Sequence, residues 1–417
     1  MESTRRPRLT PEIADIRRAI RAVLADAGLG SSATAPAAGS EPFVPGTFVP
    51  GAVAPGASAP DAETHGLVLV GLSGGPDSLA LAAGTAFEAP RAGLRAGAVI
   101  VDHALQPGSA DVAAEAARQA TALGLDPVLV VRITVDHGEN HRGSTAVIDT
   151  AETYSGPEAA ARTGRYAAFA RALADTGASH VLLGHTLDDQ AETVLLGLGR
   201  GSGPVSLHGM LRVSGPYLRP LLGIRRTQTV AACTDAGLTP WTDPHNAEHR
   251  FARVRVRETL LPALERELGP GVAEALARTA DLLREDAAAL DERTAELAGG
   301  SFEIVAGGIR VPVGVLAEQP AALRNRLIRL AAARTVLRAA GAGAGTVVIA
   351  LPRGATLAVG RLVTDWHGQG PLDLPGVRVV RHDGWLVFTG PGLARRAWPT
   401  EYAQSKGPSL PHGTPRH

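Results

Sequence analysis

Residues 67–78 read Leu-Val-Leu-Val-Gly-Leu-Ser-Gly-Gly-Pro-Asp-Ser, and they decide the fold. The first six residues are apolar, as in a strand that is buried on both faces. A glycine-rich turn follows, and the apolar spacing of residues 78–87 predicts a helix directly after it. Free N–H groups and the helix dipole at such a helix start favour an anion, so the stretch predicts a phosphate site.

The same alternation continues along the next hundred residues. Runs rich in Val, Ile and Leu occur at 98–101, 127–135 and 180–184, with helical patterns at 110–123 and 158–176 between them. Buried strands that alternate with helices predict a Rossmann-like parallel sheet with helices on both faces, an α/β fold.

Outside this region the pattern predicts five further segments. They are an N-terminal helix, a linker rich in Ala, Gly, Pro and Ser, and, after the α/β domain, a helical linker, a small α+β domain and a polar tail. The predicted bounds are 1–29 for the N-terminal helix, 30–65 for the first linker and 66–262 for the α/β domain. They are 263–299 for the helical linker, 300–392 for the small domain and 393–417 for the tail. The small domain is expected to hold one helix near 320–339 and a hairpin at Asp383-Gly384. The polar stretch 137–155 is typical of a surface insertion.

Composition excludes several classes of protein. The 41 basic and 41 acidic residues balance, so a nucleic-acid partner needs a local basic patch. Residues 212–257 supply one, with eight arginines against three acids. The single cysteine, Cys233, cannot form an intrachain disulfide or a structural zinc site. No apolar stretch is long enough to predict a membrane span. The first residues lack the apolar core of a signal peptide, so we expect a cytoplasmic protein.

The residues present exclude two common classes of phosphate loop. The only lysine is Lys406, in the tail, which excludes a Walker A loop, and the spacing does not fit GxGxxG. The segment Ser-Gly-Gly-Pro-Asp-Ser instead resembles the PP-loop of ATP pyrophosphatases, which cleave ATP between the α and β phosphates. The resemblance implies that Asp77 helps to hold Mg²⁺. It also implies an ATP site formed by Ser73, Gly74, Gly75, Pro76, Asp77 and Ser78.

A second motif, Gly-His-Thr-Leu-Asp-Asp-Gln-Ala-Glu-Thr at 184–193, opens the helix after the strand at 180–184. Its acids are three and four residues apart, so one helical face can present them to Mg²⁺ or to an ammonium group, although acids in a first turn also simply complement the dipole. The motif resembles the second signature of the tRNA-modifying PP-loop enzymes, the lysidine synthetases and the tRNA 2-thiolases. Thr186 stands where lysidine synthetases often have a second histidine. The resemblance implies Mg²⁺ binding by Asp189, and catalytic or lysine-binding roles for His185, Asp188, Asp189 and Glu192.

Shorter segments also resemble family blocks. They are Val-Asp-His at 101–103, Glu-Ala-Ala-Ala-Arg with Arg-Tyr at 158–166, the Leu-Arg-Pro step at 218–220, and Arg-Val-Arg-Val-Arg at 253–257, where Val254 replaces a usual asparagine. The resemblance implies that His103 lies beside ATP and that Arg162 neutralises phosphate or transition-state charge. It further implies tRNA contacts by Arg219, Arg253, Arg255 and Arg257.

The chain is therefore similar to the tRNA(Ile)-lysidine synthetase family, over about residues 66–262. That resemblance implies an ATP- and Mg²⁺-dependent ligase with two partners, L-lysine and an isoleucine tRNA with a CAU anticodon, and it is compatible with a homodimer. Two alternatives stay open. A tRNA 2-thiolase shares both motifs but relies on a cysteine pair, and a non-catalytic nucleotide- or RNA-binding module would be favoured by a degenerate loop.

Overall fold

The computed structural model describes residues 9–30, 66–104, 108–133, 157–201, 207–241, 249–340 and 351–390. The predicted linker from residue 31 onward, the 137–155 insertion and the polar tail lie outside these ranges. The chain divides into two compact units, and the division falls between Glu285 and Asp286. The predicted domain bounds stay predictions.

A six-stranded sheet with the order β3-β2-β1-β4-β6-β5 forms the centre of the first unit. Its first four strands and β6 are parallel, and only the edge strand β5 runs antiparallel. The strands β1 to β6 span Leu67–Gly71, Arg95–Asp102, Val128–Arg132, His180–Leu183, Val213–Ser214 and Tyr217–Leu218. The predicted α/β fold is confirmed.

Helices cover both faces of this sheet. The helices α1 to α9 span Pro11–Asp26, Pro76–Glu88, Ser109–Ala122, Pro157–Thr176, Leu187–Gly199, Arg226–Asp235, Ala252–Arg255, Leu261–Leu268 and Val272–Ser301. A π-helical turn, Val256–Leu260, joins α7 to α8. Helix α1 buries one apolar stripe (Ile16, Ile20, Val23 and Leu24) in the core shared by β1 and α2.

The strand order places the predicted motifs side by side. From β1 the chain crosses to β2 and β3 on one side, whereas β4 pairs with β1 on the other side. The carboxyl ends of β1 and β4 therefore flank a topological switch point, where open α/β sheets bind their ligands. The phosphate loop leaves β1 at that point, and the acidic helix α5 follows β4.

The second unit has a five-stranded antiparallel sheet with the order β7-β8-β11-β10-β9. These strands span Glu303–Val305, Gly308–Pro312, Leu372–Leu374, Val377–His382 and Trp385–Thr389, numbered β7 to β11. The predicted hairpin is present between β10 and β11, and its two turn residues have positive φ, 45° at Asp383 and 82° at Gly384.

Three helices, α10 to α12, pack on this sheet and span Val313–Glu318, Ala321–Ala340 and Arg353–Thr364. The sequence pattern predicted α11 only. Helix α12 contains two glycines, which lower helix propensity, yet it buries Val359 and Leu362 in the core, so packing decides its conformation. Among the described residues, no helix is long and apolar enough to cross a membrane.

Candidate active site

The phosphate loop is closed by its own serines. Gly75 caps α2, and Pro76 occupies its first turn, where a missing N–H carries no penalty. The buried Ser78 Oγ donates to Gly75 O at 3.0 Å and accepts from Ser73 N at 3.2 Å. Gly74 has φ +84°, a conformation that a side chain would strain. The loop is thus a preformed turn at a helix N-terminus, as a phosphate site requires.

The second motif lies against this loop because Gly184 allows it. A Cβ at Gly184 would sit 3.1 Å from Asp77 C and 3.1 Å from Ser78 N, tighter than ordinary van der Waals contact. The end of β4 therefore approaches the first turn of α2 so closely that a larger residue would require the backbone there to shift. This close approach brings the two helix starts of the two motifs together.

Helix α5 begins with a reciprocal cap. Asp189 Oδ2 accepts from Thr186 N and from Thr186 Oγ1, both at 2.8 Å, and Asp189 N donates back to Thr186 Oγ1 at 3.4 Å. Thr186, which stands where relatives often have a histidine, serves as the N-cap and is fully buried. The cap orients Asp189 and leaves its Oδ1 to face the rest of the site.

Four acids and four arginines meet here, and we call them the carboxylate–arginine cluster. Its members are Asp77, Asp188, Asp189, Glu192, Arg225, Arg226, Arg253 and Arg257. The formal charges of these eight side chains cancel, and Glu274 adds a further carboxylate 3.4 Å from Arg225. Because each acid faces at least one guanidinium, the cluster is a balanced network in which a bound anion or cation can replace an internal partner.

Arg226, at the start of α6, bridges three of the acids. Its Nε donates to Asp77 Oδ2 at 3.1 Å, its Nη2 to Asp189 Oδ1 at 3.0 Å, and its Nη1 lies 3.7 Å from Glu192 Oε1. Its backbone N–H donates to Asp188 Oδ2 at 2.7 Å. One residue from a distant part of the chain thus connects the phosphate loop to the acidic helix.

Glu192 is the innermost acid, with 0 % exposure. It accepts from Arg253 Nε at 2.9 Å and from Arg257 Nε at 2.6 Å and Nη2 at 3.0 Å. The charge is tolerated inside the protein because two guanidinium forks surround it. The hydrogen bonds from Arg253 and Arg257 therefore fix the orientation of the Glu192 carboxylate.

The electrostatics differ between the two aspartates that share Arg226. Burial raises the pKa of Asp77, and the nearby Arg226 and the Thr229 hydroxyl only partly offset it. Burial also opposes ionisation of Asp189, but Arg226 and Arg253 outweigh it and hold its pKa well below the usual range. Asp189 is therefore the firmly ionised member of the pair at neutral pH.

The two predicted site histidines, His185 and His103, have different surroundings. Burial and Arg219 lower the pKa of His185, so its ring is neutral at pH 7. Its Nδ1 is buried and has no hydrogen-bond partner among the residues that the structure describes. His103 follows β2, and its Nε2 accepts from Arg165 Nε at 3.4 Å. Arg162 stacks on Tyr166, with the guanidinium carbon 5.2 Å from the ring centroid.

The lowered pKa of His103 predicts how the stability of the protein depends on pH. Burial and Arg165 lower its pKa to about 4, against 6.5 for the free side chain. Between these values the unfolded chain binds the proton and the folded chain does not, so this histidine lowers stability as pH falls from 6.5 towards 4. In His103→Gln we expect a smaller loss of unfolding free energy between pH 7 and pH 4.5, measured by urea denaturation. An equal loss in both proteins would contradict it.

The arginines predicted to contact tRNA have different surroundings. Arg219 is 1 % exposed and donates to Leu211 O at 3.0 Å and to Tyr166 Oη at 3.3 Å. Arg253 and Arg257 face Glu192, as described above. Arg255 is exposed, and its Nη1 donates to His249 O and Arg250 O, both at 2.8 Å. The geometry thus favours positioning roles for the first three, and all four tRNA contacts stay predictions.

The predicted Mg²⁺ ligands can be tested against this geometry. Asp77 and Asp189 point at one shared cation, the Arg226 guanidinium, and among the described residues no group of three His, Cys, Asp or Glu side chains is arranged as a metal site. Mg²⁺ is usually held by one or two carboxylates together with phosphate oxygens and water. The pair fits such an ion once ATP supplies phosphate oxygens and Arg226 moves aside.

A cavity of about 200 Å³ opens on the far side of the cluster. Its walls are formed by Asp188, Glu192, Arg225, Arg257, Leu261, Pro262, Glu265 and Ala273. It is smaller than the roughly 300 Å³ at which sites for drug-sized ligands begin, which suits a single amino acid. Both charge signs line it, so it can hold an ammonium and a carboxylate group together.

Sequence reasoning missed the roles of Arg225, Arg226 and Thr229. The two arginines were counted only in the basic patch, and Asp77 lies 149 residues from Arg226. The one local signal is that both arginines stand at the start of a helix, where a cation is unfavourable unless acids surround it. Nothing in the sequence names those acids.

Comparisons with known proteins match this chain to a family model, to curated relatives and to a solved structure. The family model of the PP-loop domain matches residues 55–264. The tRNA(Ile)-lysidine synthase of Leifsonia xyli subsp. xyli is 56% identical over 326 residues, which cover 77% of this chain and 89% of that protein. That of Thermobifida fusca is 48% identical over 324 residues, which cover 78% and 91%. A solved structure, the U34-tRNA thiolase NcsA from Methanococcus maripaludis with its 4Fe-4S cluster, matches with a TM-score of 0.46 and 17% identity, over 66% of this chain and 80% of that one.

Proposed function

This chain belongs to the tRNA(Ile)-lysidine synthase family, and we propose that it joins L-lysine to C2 of the wobble cytidine in an isoleucine tRNA with a CAU anticodon. In the first step the cytidine O2 attacks the α phosphorus of ATP, the Pα–O–Pβ bond breaks, and pyrophosphate leaves. In the second step the ε-amine of lysine attacks C2, the C2–O bond breaks, and AMP leaves.

The observation that carries this proposal is the carboxylate–arginine cluster at the end of the phosphate loop. The turn at residues 73–78 offers N–H groups and serine hydroxyls to the departing pyrophosphate. Asp77 and Asp189 are proposed to hold Mg²⁺, whose charge would neutralise that leaving group. Arg226 adjoins the loop through Asp77, and we propose that it binds the same phosphates once it is displaced from the two aspartates.

We place lysine in the cavity beside the cluster. Asp188 and Glu192 supply negative charge for the ε-ammonium, and Arg225 supplies positive charge for the α-carboxylate. The amine must lose a proton before it attacks, and a neighbouring carboxylate can accept it. His185 is neutral at pH 7, and we keep for it the catalytic or lysine-binding role that the resemblance implies. Each of these residue roles is part of the proposal.

The exposed Arg255 is proposed to contact the tRNA backbone, since guanidinium–phosphate contacts dominate such binding. Assembly as a homodimer and a cytoplasmic location stay predictions of the resemblance. Thiolation finds no support, because Cys233 is 1 % exposed and burial raises the pKa of its thiol to about 12. A buried, protonated thiol is a poor carrier of sulfur.

The test is a reconstitution with purified protein, ATP, Mg²⁺, L-lysine and CAU-anticodon tRNA(Ile). We expect pyrophosphate release and a lysine-bearing cytidine, detected by mass spectrometry of the digested tRNA. The modified base must disappear when lysine or the tRNA is omitted. Incorporation of sulfur in a parallel reaction in which a sulfur donor replaces lysine, or no modified base with any tRNA, would reject the proposal.

A further inference from the structure

Helix α6 lies along the first turn of α2 and presents one face to the phosphate loop. Arg226, Thr229 and Cys233 are three and four residues apart, so they share that face. Thr229 Oγ1 donates to Asp77 Oδ1, and Cys233 Sγ donates to Pro76 O at 3.3 Å. The chain after α6 adds a backbone bond, from Trp241 N to Gly74 O at 2.9 Å. The segment 226–241 therefore braces the loop at three successive points.

The two oxygens of Asp77 have partners of different kinds. Oδ2 faces the charged Arg226, which the proposed function requires to move, whereas Oδ1 faces the neutral hydroxyl of Thr229. Thr229 is fully buried and is held in place by α6 itself. Its hydroxyl also lies 2.8 Å from Arg226 O, a second acceptor within the helix for its single proton. Because the contact with Asp77 is made at Oδ1, it does not depend on the cation at Oδ2.

We propose that Thr229 is a positioning residue: its hydroxyl holds Oδ1 of Asp77 so that Oδ2 faces the metal and the pyrophosphate half of ATP. This inference rests on the proposed function, because it assigns Asp77 to the nucleotide. A carboxylate that turns freely must be ordered again in each binding event, whereas a fixed one is preorganised.

The chain offers a matched set of variants. Thr229→Val replaces the hydroxyl with a methyl group of similar size, and Thr229→Ser keeps the hydroxyl while losing the methyl. Thr229→Ala, compared with Thr229→Ser, isolates the hydroxyl again in case the valine disturbs folding. Thr234→Val is the control, since Thr234 lies on the exposed side of the same helix and its hydroxyl donates to Val230 O within that helix.

Two readouts are measured for each protein. The first is direct binding of Mn²⁺ with ATP, followed by electron paramagnetic resonance, and the second is the Mg²⁺ concentration that gives half-maximal pyrophosphate release. In Thr229→Val and Thr229→Ala we expect the dissociation constant for Mn²⁺ and the half-maximal Mg²⁺ concentration each to rise about tenfold. This is the effect of losing one hydrogen bond to a charged group. Thr229→Ser and Thr234→Val should match the parent protein.

The outcomes separate this inference from the proposed function. Unchanged metal dependence in Thr229→Val and Thr229→Ala overturns the positioning role, even if the parent protein makes lysidine. Equal defects in Thr229→Ser and Thr229→Ala also overturn it, because packing would then be the cause. If the parent protein makes no lysidine but Mn²⁺–ATP binding weakens only in the variants without the hydroxyl, the positioning role stands and the proposed tRNA chemistry fails.

Discussion

Glu192→Ala is expected to destabilise the first unit by about 3–5 kcal/mol and to abolish lysidine formation. Glu192 has no exposed surface, and it accepts three hydrogen bonds of 2.6–3.0 Å from Arg253 and Arg257. Its removal leaves two partly buried guanidinium groups without this partner, in a place that water enters poorly. Urea denaturation gives the change in unfolding free energy, and the modified tRNA base gives the activity.

Glu267→Ala is the matched control for this prediction. Glu267 pairs with Arg266 at 2.8 Å, but the two side chains are 68% and 70% exposed, and such surface pairs contribute about 0–1 kcal/mol. If Glu192→Ala were as stable as Glu267→Ala, the buried network would not hold this part of the fold. Glu192→Gln, which keeps the shape and loses the charge, should be less destabilised and still inactive.

Asp77→Asn is expected to lower the rate of pyrophosphate release by about 10²–10³-fold while the protein stays folded. The acid contributes charge at the place where the pyrophosphate separates, and asparagine cannot replace that charge. Folding survives because Arg226 keeps Asp189 and Glu192 as partners. The rate is measured under single-turnover conditions with tRNA and ATP, and binding of tRNA is measured separately by filter retention.

The control for Asp77 is Asp175→Asn, an exposed acid that pairs with Arg171 on α4 at 3.4 Å. Its rate and its tRNA affinity should match those of the parent protein. Asp77→Asn should also bind tRNA with unchanged affinity. Loss of tRNA binding together with activity would mean that Asp77 maintains the structure of the loop and has no direct part in the chemistry.

These two predictions differ because the cluster has two layers. Glu192 lies in the inner layer. There each charged side chain is paired with another buried charge, so moving one partner would leave the other unpaired inside the protein. Asp77 lies in the outer layer, with a side chain that is 20% exposed and a cationic partner that a metal ion can replace. The inner layer therefore supports folding and also lines the proposed lysine cavity, whereas the outer layer faces the nucleotide. Removing one charge from each layer tests this division directly.

Much of the fold could be read from the sequence, because its signals are local. The strand, turn and helix at residues 67–88 follow one another along the chain, and the same holds for β4 and α5. The hairpin at Asp383-Gly384 was also predictable, since its turn needs positive φ at two adjacent residues. Helix α12 was missed because its glycines oppose helix formation and only burial in the core stabilises it.

The sequence by itself determined that a glycine-rich phosphate turn follows a buried strand and that a second strand leads into an acidic helix. Those features depend on neighbours in the chain, whose backbone preferences act at short range. Only the tertiary structure decided which charges face each other, for example that Arg226 binds Asp77 and that Arg253 and Arg257 enclose Glu192. The physical reason is that an ion pair needs a few ångströms in space, whereas these partners lie 61 to 149 residues apart. They meet only when α2, α5, α6, α7 and the π-helical turn pack together.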